Sequence, residues 1–321
     1  MSDPTSITIQ TPSRLHFGLL GWGPAAPRQF GGLGLMIDDP GLKLRVTPSR
    51  EWSASGPLAD RALEASKIIR DRLTASGRVV PPLQLEILSA PDAHVGLGVG
   101  TQLALAIARA TCLLVGESDN NPGFLSTLTG RAVRSGIGLH GFLRGGFIID
   151  GGRGPDSMYP PELVNVPFPD DWRVLVVVPK NSPGLHGPDE VRAFRTLPPV
   201  SDATTGRLSR AILLGVLPGL REHDLDAFGA SLQDIQRTVG ELFAPVQKGI
   251  YATSQAEQWV RTLTDLGLKG VGQSSWGPTV YGFLDAKNVA HVDLTQFRDV
   301  RAFWTKGNTG GAAVWQAGGS S

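Results

Sequence analysis

The amino-acid sequence predicts an α+β fold made of two domains. Its 321 residues are enough for two ordinary domains. Strand-like alternation and the 3.6-residue helical period both recur along the chain. A proline-rich stretch at 153–171 separates a first half that contains a glycine-rich loop from a second half that begins with a continuous apolar strand. We therefore expect domains at 1–168 and 169–321.

Composition and charge exclude several classes of protein. Hydrophobic residues make up 41% of the chain and charged residues 18%, which is enough to form a substantial core. The formal charge is +1, from 30 basic and 29 acidic residues, so a nucleic-acid partner has no support. The single cysteine, Cys112, excludes an intrachain disulfide. No leader or apolar run of membrane length is present, so we expect a cytoplasmic protein without a membrane partner. The sequence is compatible with a homodimer.

The first strands carry unusual polar residues. Residues 6–11 and 14–20 alternate in strand fashion and are interrupted by Pro12. The alternation places Arg14 and His16 on one face, which favours a functional surface. A solvated strand face is the alternative interpretation.

The rest of the first half alternates loops, strands and helices. In chain order we predict a mobile loop at 21–34, a strand at 42–46, a helix at 57–77, a strand at 83–87, a glycine-rich loop at 94–102, a central buried helix from 102 to 115, a short helix at 124–134, a glycine-rich loop from 136 and a strand at 147–149.

The glycine-rich loop is the strongest chemical signal. Gly96, Gly98 and Gly100 alternate and leave the backbone amides accessible, Thr101 adds a hydroxyl, and a helix follows. Unpaired amides and the helix dipole both favour an anion at such a point, so we predict a phosphate site. A tight turn with close packing would account for the same glycines.

A second group of polar residues and glycines follows at 131–154. It contains Arg131, Arg134, Ser135 and His140. Such glycine density costs chain entropy, and close approach to a ligand or to another segment would compensate for it. Tight strand–helix packing with exposed arginines is the alternative.

The second half predicts an α+β sandwich with helices on one face of its sheet. The predicted elements are a strand at 173–178, a loop at 181–189, helices at 204–217, 224–242 and 254–266, a glycine cluster at 270–278, strands at 279–284 and 300–304 with a short helix from 286, and a tail after 307 that is ordered only where it pairs. No histidine pair has metal-ligand spacing, and no serine-hydrolase elbow or Walker A lysine is present.

Three motifs together resemble the GHMP kinase superfamily. They are Pro-Ser-Arg-Leu-His-Phe-Gly at 12–18, Gly-Leu-Gly at 96–98 and Gly-Val-Gly-Gln-Ser-Ser at 270–275. The fuller motifs, with Arg-Ser-Gly-Ile-Gly at 134–138 and Gly-Gly-Phe-Ile-Ile-Asp-Gly-Gly at 145–152, resemble β-ribofuranosylaminobenzene 5′-phosphate synthase. The resemblance implies an N-terminal domain like ribosomal S5 domain 2 and a ferredoxin-like C-terminal domain.

The resemblance also implies a reaction. That family condenses phosphoribosyl pyrophosphate with 4-aminobenzoate or 4-hydroxybenzoate, with loss of pyrophosphate and carbon dioxide, in methanopterin biosynthesis. We expect these two substrates as ligands, with Mg²⁺ and without an organic cofactor.

The sequence departs from the kinases at two motifs. Kinases of the superfamily usually have Gly-Leu-Gly-Ser-Ser in the loop, where this chain has Val-Gly-Thr-Gln at 99–102. Their third motif is dominated by glycine, whereas Gln273 to Trp276 fill it here. Both changes argue against ATP and favour the pyrophosphate of phosphoribosyl pyrophosphate.

The motifs supply the candidate site residues. We assign catalytic roles to Arg14, His16, Arg134 and Asp150; Asp150 or Thr101 could hold Mg²⁺, although an Asp before Gly-Gly also caps turns. We assign substrate binding to Gly96, Leu97, Gly98, Val99, Gly100, Thr101, Gln102, Ser135, Gly136, His140, Gln273, Ser274 and Ser275.

Two other functions remain open at this point. An ATP-dependent small-molecule kinase of the same fold would bind nucleotide, whereas the synthase would not. A non-catalytic regulator of the same fold would tolerate loss of Arg14, His16 and Arg134 without an enzymatic phenotype.

Overall fold

A computed structural model describes residues 5–180, 184–185 and 187–318. The strands are β1 (Ser6–Gly21), β2 (Phe30–Pro48), β3 (Ser53–Ser55), β4 (Leu83–Ser89), β5 (Phe147–Asp150), β6 (Glu162–Val166), β7 (Trp172–Pro179), β8 (Lys269–Gln273), β9 (Val280–Asp285), β10 (Val300–Thr305) and β11 (Ala313–Ala317). The helices are α1 (Ala59–Ala75), α2 (Val99–Leu114), α3 (Pro122–Thr129), α4 (Ile137–Arg144), α5 (Gly187–Thr196), α6 (Asp202–Ala211), α7 (Leu217–Glu222), α8 (Leu225–Gln247) and α9 (Ser254–Asp265).

The first sheet is built on the long hairpin of β1 and β2. Its order is β11-β1-β2-β4-β3, and β5 and β6 continue from the other end of β2. Pro12 does not end β1 as predicted, because a register shift between Thr11 and Ser13 accommodates it. The loop predicted at 21–34 is shorter, since residues 30–34 are already part of β2.

The second sheet is antiparallel and has the order β10-β7-β9-β8. With its strands numbered in chain order this is 4-1-3-2, the ferredoxin-like order that the resemblance implies. Alternate residues of β7 belong to two cores, Val174 and Val176 with α8, and Leu175 and Val177 with α9. The expectation of helices on one face is therefore wrong, whereas the interpretation of 173–178 as a strand covered on both faces is confirmed.

Five of these elements were not predicted. Helix α4 lies in the glycine-rich stretch from 136, α5 begins inside the loop predicted at 181–189, and β6 lies in the stretch placed between the domains. Strand β3 lies in a stretch without a predicted element, and β8 overlaps the predicted glycine cluster at 270–278. Residues 181–183 and 186 of that loop lie outside the described residues. Helix α4 contains glycine because a Cβ at position 141 would lie 2.2 Å from the sulfur of Met36 on β2. Packing therefore overrides propensity here.

Two predicted helices have different limits in the structure. The segment predicted at 204–217 consists of α6, a π-helical turn at 212–216 and α7. The segment predicted at 124–134 is α3 alone, which ends at Gly130 in a left-handed conformation. Both errors lie at helix ends, where periodicity carries little information.

The tail is ordered by strand pairing, as predicted. Residues 313–317 form β11, which adds to the first sheet beside β1. Residues 319–321 lie outside the described part. Strands β7–β10 form the second sheet and β11 returns to the first. In the described part of the chain, no helix has the length and apolar character needed to span a membrane.

Candidate active site

A cleft of about 460 Å³ lies between β1, the start of α2, helix α8 and the turn after β8. Helix α8 contributes Gln236, Val239, Phe243 and Gln247, which share one helical face. The three motifs identified in the sequence all contribute residues to the walls of this cleft. Of the site residues predicted from the sequence, those lining it are Arg14, His16, Gly96, Leu97, Gly98, Val99, Gly100, Thr101, Arg134, Ser135, Gln273 and Ser275.

The glycine-rich loop ends in the helix N-terminus that the sequence predicts, three residues earlier than expected. Helix α2 begins at Val99, and Gly98 caps it with a φ of 73°. A Cβ at Gly96 would lie 2.6 Å from the carbonyl oxygen of Ser274, so this glycine permits contact with another segment rather than with a ligand. A Cβ at Gly98 would lie 3.2 Å from Cβ of Arg14. These glycines therefore serve close packing around the start of α2.

Ser274 joins the three motifs. Its hydroxyl donates to the carbonyl of Gly96 (2.7 Å) and accepts from the backbone N–H of His16 (3.0 Å). The backbone N–H of Arg14 also donates to the carbonyl of Leu97 (3.0 Å). Ser274 is fully buried and does not line the cleft, so its contacts are those of a structural link.

Arg14 lies beside the start of α2. Its Nε is buried and has no hydrogen-bond partner. Burial lowers the pKa of Arg14 to about 10, and the charges of Glu190 and Asp150 offset part of that change. The side chain therefore stays charged at neutral pH, with a donor available for an anion.

Two further arginines lie on the other side of the helix start. A Cβ placed on Gly100 would lie 2.8 Å from Nη2 of Arg61 and 4.0 Å from Nη2 of Arg131. Burial, and then the charge of Arg61, lower the pKa of Arg131. Nη1 of Arg61 also lies 3.3 Å from Nε2 of His94. Two guanidinium groups this close repel each other, and an anion between them would relieve the repulsion.

Arg134 forms an ion pair across the mouth of the cleft. Its Nη2 lies 2.7 Å from Oε2 of Glu190 on α5, and its guanidinium lies 5.1 Å from the ring centre of Phe194. Among the described residues that line the cleft, Glu190 is the one carboxylate facing four arginines. The cleft therefore has an excess of positive charge.

A hydrogen-bonded chain runs from the cleft into the protein interior. Nδ1 of His16 accepts from the N–H of Gly18 (3.3 Å), so Nε2 carries the proton and donates to Ser135 Oγ (3.1 Å). Ser135 donates in turn to Asp150 Oδ2 (3.1 Å). In a serine-hydrolase triad the histidine lies between the serine and the aspartate. The order is different here, which argues against a nucleophilic serine.

The surroundings of this hydrogen-bonded chain keep His16 neutral and hold Asp150 in place. Burial, and then the charge of Arg14, hold the pKa of His16 well below its usual value. Burial raises the pKa of Asp150, and hydrogen bonds from Gly152, Gly136 and Ser135 offset part of that rise. Asp150 is fully buried behind Ser135 and acts on the cleft through its contacts and its charge.

Four further predicted site residues do not line the cleft. Asp150 and Gly136 are hydrogen-bonded to each other: the N–H of Gly136 donates to the Asp150 carboxylate (2.8 Å). His140 is buried and donates from Nε2 to the carbonyl of Pro160 (2.8 Å). Gln102 donates to the carbonyl of Gly138 (2.8 Å) on α4. These side chains hold α4 and β5 in position next to the site.

The described residues do not fit a resident magnesium ion. No group of three or more His, Cys, Asp or Glu side chains among them could hold a metal. Asp150 already accepts three hydrogen bonds, and Thr101 offers a single hydroxyl to the cleft. Mg²⁺ usually combines one or two carboxylates with substrate phosphates. The one carboxylate among the described residues that line the cleft, Glu190, is already paired with Arg134.

One wall of the cleft is aromatic. The rings of Phe243 and Trp276 stack with centres 4.3 Å apart, and Phe194 meets Trp276 edge-on at 5.5 Å. All three residues line the cleft. Trp22 stacks on the other face of Phe243, so both faces of that ring are covered within the protein. The wall therefore offers an apolar surface, made mainly of ring edges, beside the arginines.

Sequence reasoning missed several residues of this cleft. Arg61 lies on α1 and reaches the loop only because α1 packs against α2. Glu190 and Phe194 lie on α5, in a stretch just after the predicted loop to which no element was assigned. Phe243 belongs to the apolar stripe of α8, and periodicity alone does not separate cleft residues from core residues.

Comparison with known proteins agrees with this architecture. Residues 216–292 match the family model described as GHMP kinases C terminal. Among solved structures, mevalonate pyrophosphate decarboxylase from Streptococcus pyogenes superposes with a TM-score of 0.69 at 13% identity, covering 96% of this chain and 98% of that one. Homoserine kinase from Cytophaga hutchinsonii superposes with a TM-score of 0.65 at 17% identity, covering 97% of each chain. At these identities the likeness shows a GHMP kinase-like fold.

Curated relatives are more similar in sequence. Beta-ribofuranosylphenol 5′-phosphate synthase from Archaeoglobus fulgidus is 32% identical, over 87% of this chain and 88% of its own length. The protein of the same name from Methanothermobacter thermautotrophicus is 29% identical, over 95% of this chain and 98% of its own length. The name of these relatives specifies a phenol, whereas the family that the sequence motifs resemble is named for an aminobenzene. The chain is an enzyme that belongs to the β-ribofuranosylphenol 5′-phosphate synthase family, within the GHMP kinase superfamily.

Proposed function

We propose that the enzyme condenses phosphoribosyl pyrophosphate with 4-hydroxybenzoate and releases pyrophosphate and carbon dioxide. The product, a β-ribofuranosylphenol 5′-phosphate, is the compound for which the relatives are named. 4-Aminobenzoate is the second acceptor to test, since it carries an amine where 4-hydroxybenzoate carries a hydroxyl. We place the reaction in the cytoplasm and in methanopterin biosynthesis.

The observation that carries this proposal is the arrangement of arginines around the start of α2. Arg14 lies on one side of the helix N-terminus, next to Gly98, and Arg61 and Arg131 converge on Gly100 at the other. Free amides, a helix dipole and guanidinium groups together suit a pyrophosphate group. Phosphoribosyl pyrophosphate carries such a group together with a separate 5′-phosphate.

The chemistry needs charge stabilisation more than proton transfer. Pyrophosphate departs from the ribosyl carbon with its bonding electrons, and the arginines and loop amides stabilise the negative charge that develops on it. The ring carbon that bears the carboxylate attacks, and carbon dioxide leaves in place of a proton. No base is then required at that carbon, which fits a neutral His16 already bonded through both nitrogens. We propose that Mg²⁺ enters bound to the pyrophosphate group, as part of the substrate.

The test is incubation with phosphoribosyl pyrophosphate, Mg²⁺ and each benzoate labelled in its carboxyl group. We expect pyrophosphate and labelled carbon dioxide in a 1:1 ratio. Arg61→Met should raise the KM for phosphoribosyl pyrophosphate by about tenfold or more, because it removes a charge-assisted contact. The control is Arg210→Met, on the exposed surface of α6. Wild-type enzyme that releases neither product with either benzoate would refute the proposal.

A further inference from the structure

The aromatic wall and the polar groups next to it, Arg134 and Gln247, form a surface that the phosphate chemistry does not use. Phe194, Phe243 and Trp276 line the cleft, and Phe243 and Trp276 are almost fully buried. Arg134 lies over the Phe194 ring, at 5.1 Å from its centre. The surface therefore combines apolar contact with a cation on one side.

Gln247 lies next to Phe243 in the wall of the cleft. It follows Phe243 by four residues on α8, so the two side chains share one helical face, and both line the cleft. Its Nε2 donates to the carbonyl of Ile250 (2.7 Å), which fixes the orientation of the amide. Its Oε1 is buried and has no hydrogen-bond partner.

A buried acceptor without a donor is unfavourable, and such atoms are rare in folded proteins. A ligand with an O–H or N–H group at this point would satisfy Gln247. The ligand must also be apolar between its polar ends, because it lies against the apolar edges of these side chains. A benzoate with a donor opposite its carboxylate has this shape and this distribution of polar groups.

We propose that the acceptor ring binds against Phe194, Phe243 and Trp276, with its carboxylate towards Arg134 and its 4-hydroxyl donating to Oε1 of Gln247. This assignment rests on the proposed function and names the residue that selects the acceptor. Gln247 then requires a hydrogen-bond donor at the 4-position and disfavours acceptors that lack one.

Gln247 also favours the reaction itself. When the ring carbon bonds to the ribosyl carbon, the bond to pyrophosphate breaks with its electron pair, and positive charge develops on the ring and its 4-oxygen. The O–H then becomes a stronger donor, so its bond to Gln247 strengthens in the transition state. The carbon–carboxylate bond breaks next, its electron pair restores the ring, and carbon dioxide leaves with the 4-hydroxyl unchanged.

The ion pair of Arg134 suits the same sequence of events. The carboxylate must leave as a neutral molecule, so a strong ion pair with it would oppose its departure. Glu190 already shares the charge of Arg134, with 2.7 Å between the paired atoms. The arginine can therefore orient the carboxylate while holding it weakly.

The experiment compares two ligands on wild-type enzyme and variants. Calorimetry measures the dissociation constants of 4-hydroxybenzoate and of 4-methylbenzoate, which has a similar shape and no donor. Gln247→Leu should weaken 4-hydroxybenzoate binding by about tenfold, the value of one buried hydrogen bond, and leave 4-methylbenzoate binding within twofold. Gln247→Glu keeps an acceptor and should keep the preference for 4-hydroxybenzoate. The matched control is Gln233→Leu, on the exposed side of α8.

Two results would overturn the assignment. Equal weakening of both ligands in Gln247→Leu would show a general packing role, and unchanged binding of both would place the ring elsewhere. Failure of the proposed function would give a different result. The enzyme would bind 4-hydroxybenzoate with the expected dependence on Gln247, but wild-type enzyme would release no pyrophosphate when phosphoribosyl pyrophosphate is added.

Discussion

At the scale of single residues, Arg14 shows how a strand residue becomes part of a site. It lies on β1, its backbone is bonded to the glycine-rich loop, and its Nε is buried without a partner. A structural arginine would be expected to have all its buried donors satisfied. The unsatisfied donor next to the start of α2 therefore favours a role in binding an anion.

Arg14→Lys tests that role. Lysine keeps the charge but loses the planar fork of donors, so we expect kcat/KM for phosphoribosyl pyrophosphate to fall by about tenfold to hundredfold, corresponding to about 1.5–3 kcal/mol. Steady-state kinetics measures the effect, and the melting temperature should change little. The control is Arg45→Lys on β2, whose ion pair with Glu86 is largely exposed. Activity within twofold of wild type would remove Arg14 from the site.

His16 makes the stability of the protein depend on pH. Its pKa is depressed in the folded state, so the unfolded chain binds a proton at this residue as the pH falls below about 6.5 while the folded protein does not. Stability should fall with pH in that range, by up to about 1.4 kcal/mol for each pH unit. Asp150 has the opposite effect on stability, because its raised pKa makes the folded protein bind a proton more readily than the unfolded chain as the pH falls. This contribution is common to wild type and variant.

The measurement for His16 is the free energy of unfolding in urea at pH 7.5, 6.5, 5.5 and 4.5. His16→Gln, which can still donate to Ser135, should flatten the decrease between pH 6.5 and 4.5. Parallel curves for wild type and His16→Gln would mean that His16 becomes protonated in the folded protein, contrary to its depressed pKa.

At the scale of elements, the cleft depends on how β1, the loop before α2 and the turn after β8 are joined. Ser274 contacts Gly96 and His16, and Gln236 of α8 accepts from the N–H of Gln273 (2.9 Å) and donates to the carbonyl of Phe17. These bonds connect the two sheets at the site. The glycine-rich loop therefore owes its shape to the second half of the chain as much as to its own glycines.

Ser274→Ala should loosen this junction. It leaves the carbonyl of Gly96 and the N–H of His16 without their side-chain partner, and each unsatisfied buried group costs about 1–3 kcal/mol. We expect a matching loss in the free energy of unfolding, together with weaker binding of phosphoribosyl pyrophosphate. Ser89→Ala, at an exposed strand end, should change stability by less than about 0.5 kcal/mol. A similarly small change in Ser274→Ala would show that the junction does not depend on this hydroxyl.

The elements also show what the sequence can predict. Apolar periodicity identified α2, α8, α9 and the buried strand β7, because one-sided or complete burial leaves a direct pattern. The same patterns missed α4 and α5, since glycine and exposed polar residues carry no helical period. The motifs located Arg14, His16 and the loop, but the sequence gives no sign that Arg61 or Gln247 reaches the cleft. Their positions follow from helix packing alone.

At the scale of the whole molecule, the same fold supports different reactions. The superposed proteins include a homoserine kinase and a mevalonate pyrophosphate decarboxylase, at 17% and 13% identity. Fold alone therefore does not assign the activity. In this chain the distinction depends on the groups at the start of α2 and on the charges that surround it.

The start of α2 predicts that the enzyme does not use ATP. Kinases of the superfamily usually place two serines directly after the Gly-Leu-Gly of this loop, where this chain has Val99 and Gly100. Val99 is buried, and Gln102 bonds to α4, so Thr101 is left to offer a hydroxyl at this point. We expect ATP with Mg²⁺ neither to be hydrolysed nor to raise the KM for phosphoribosyl pyrophosphate at millimolar concentration. Inorganic pyrophosphate, the leaving group itself, should compete. ADP formation that depends on a small alcohol, or competition by ATP as strong as that by pyrophosphate, would favour the kinase interpretation.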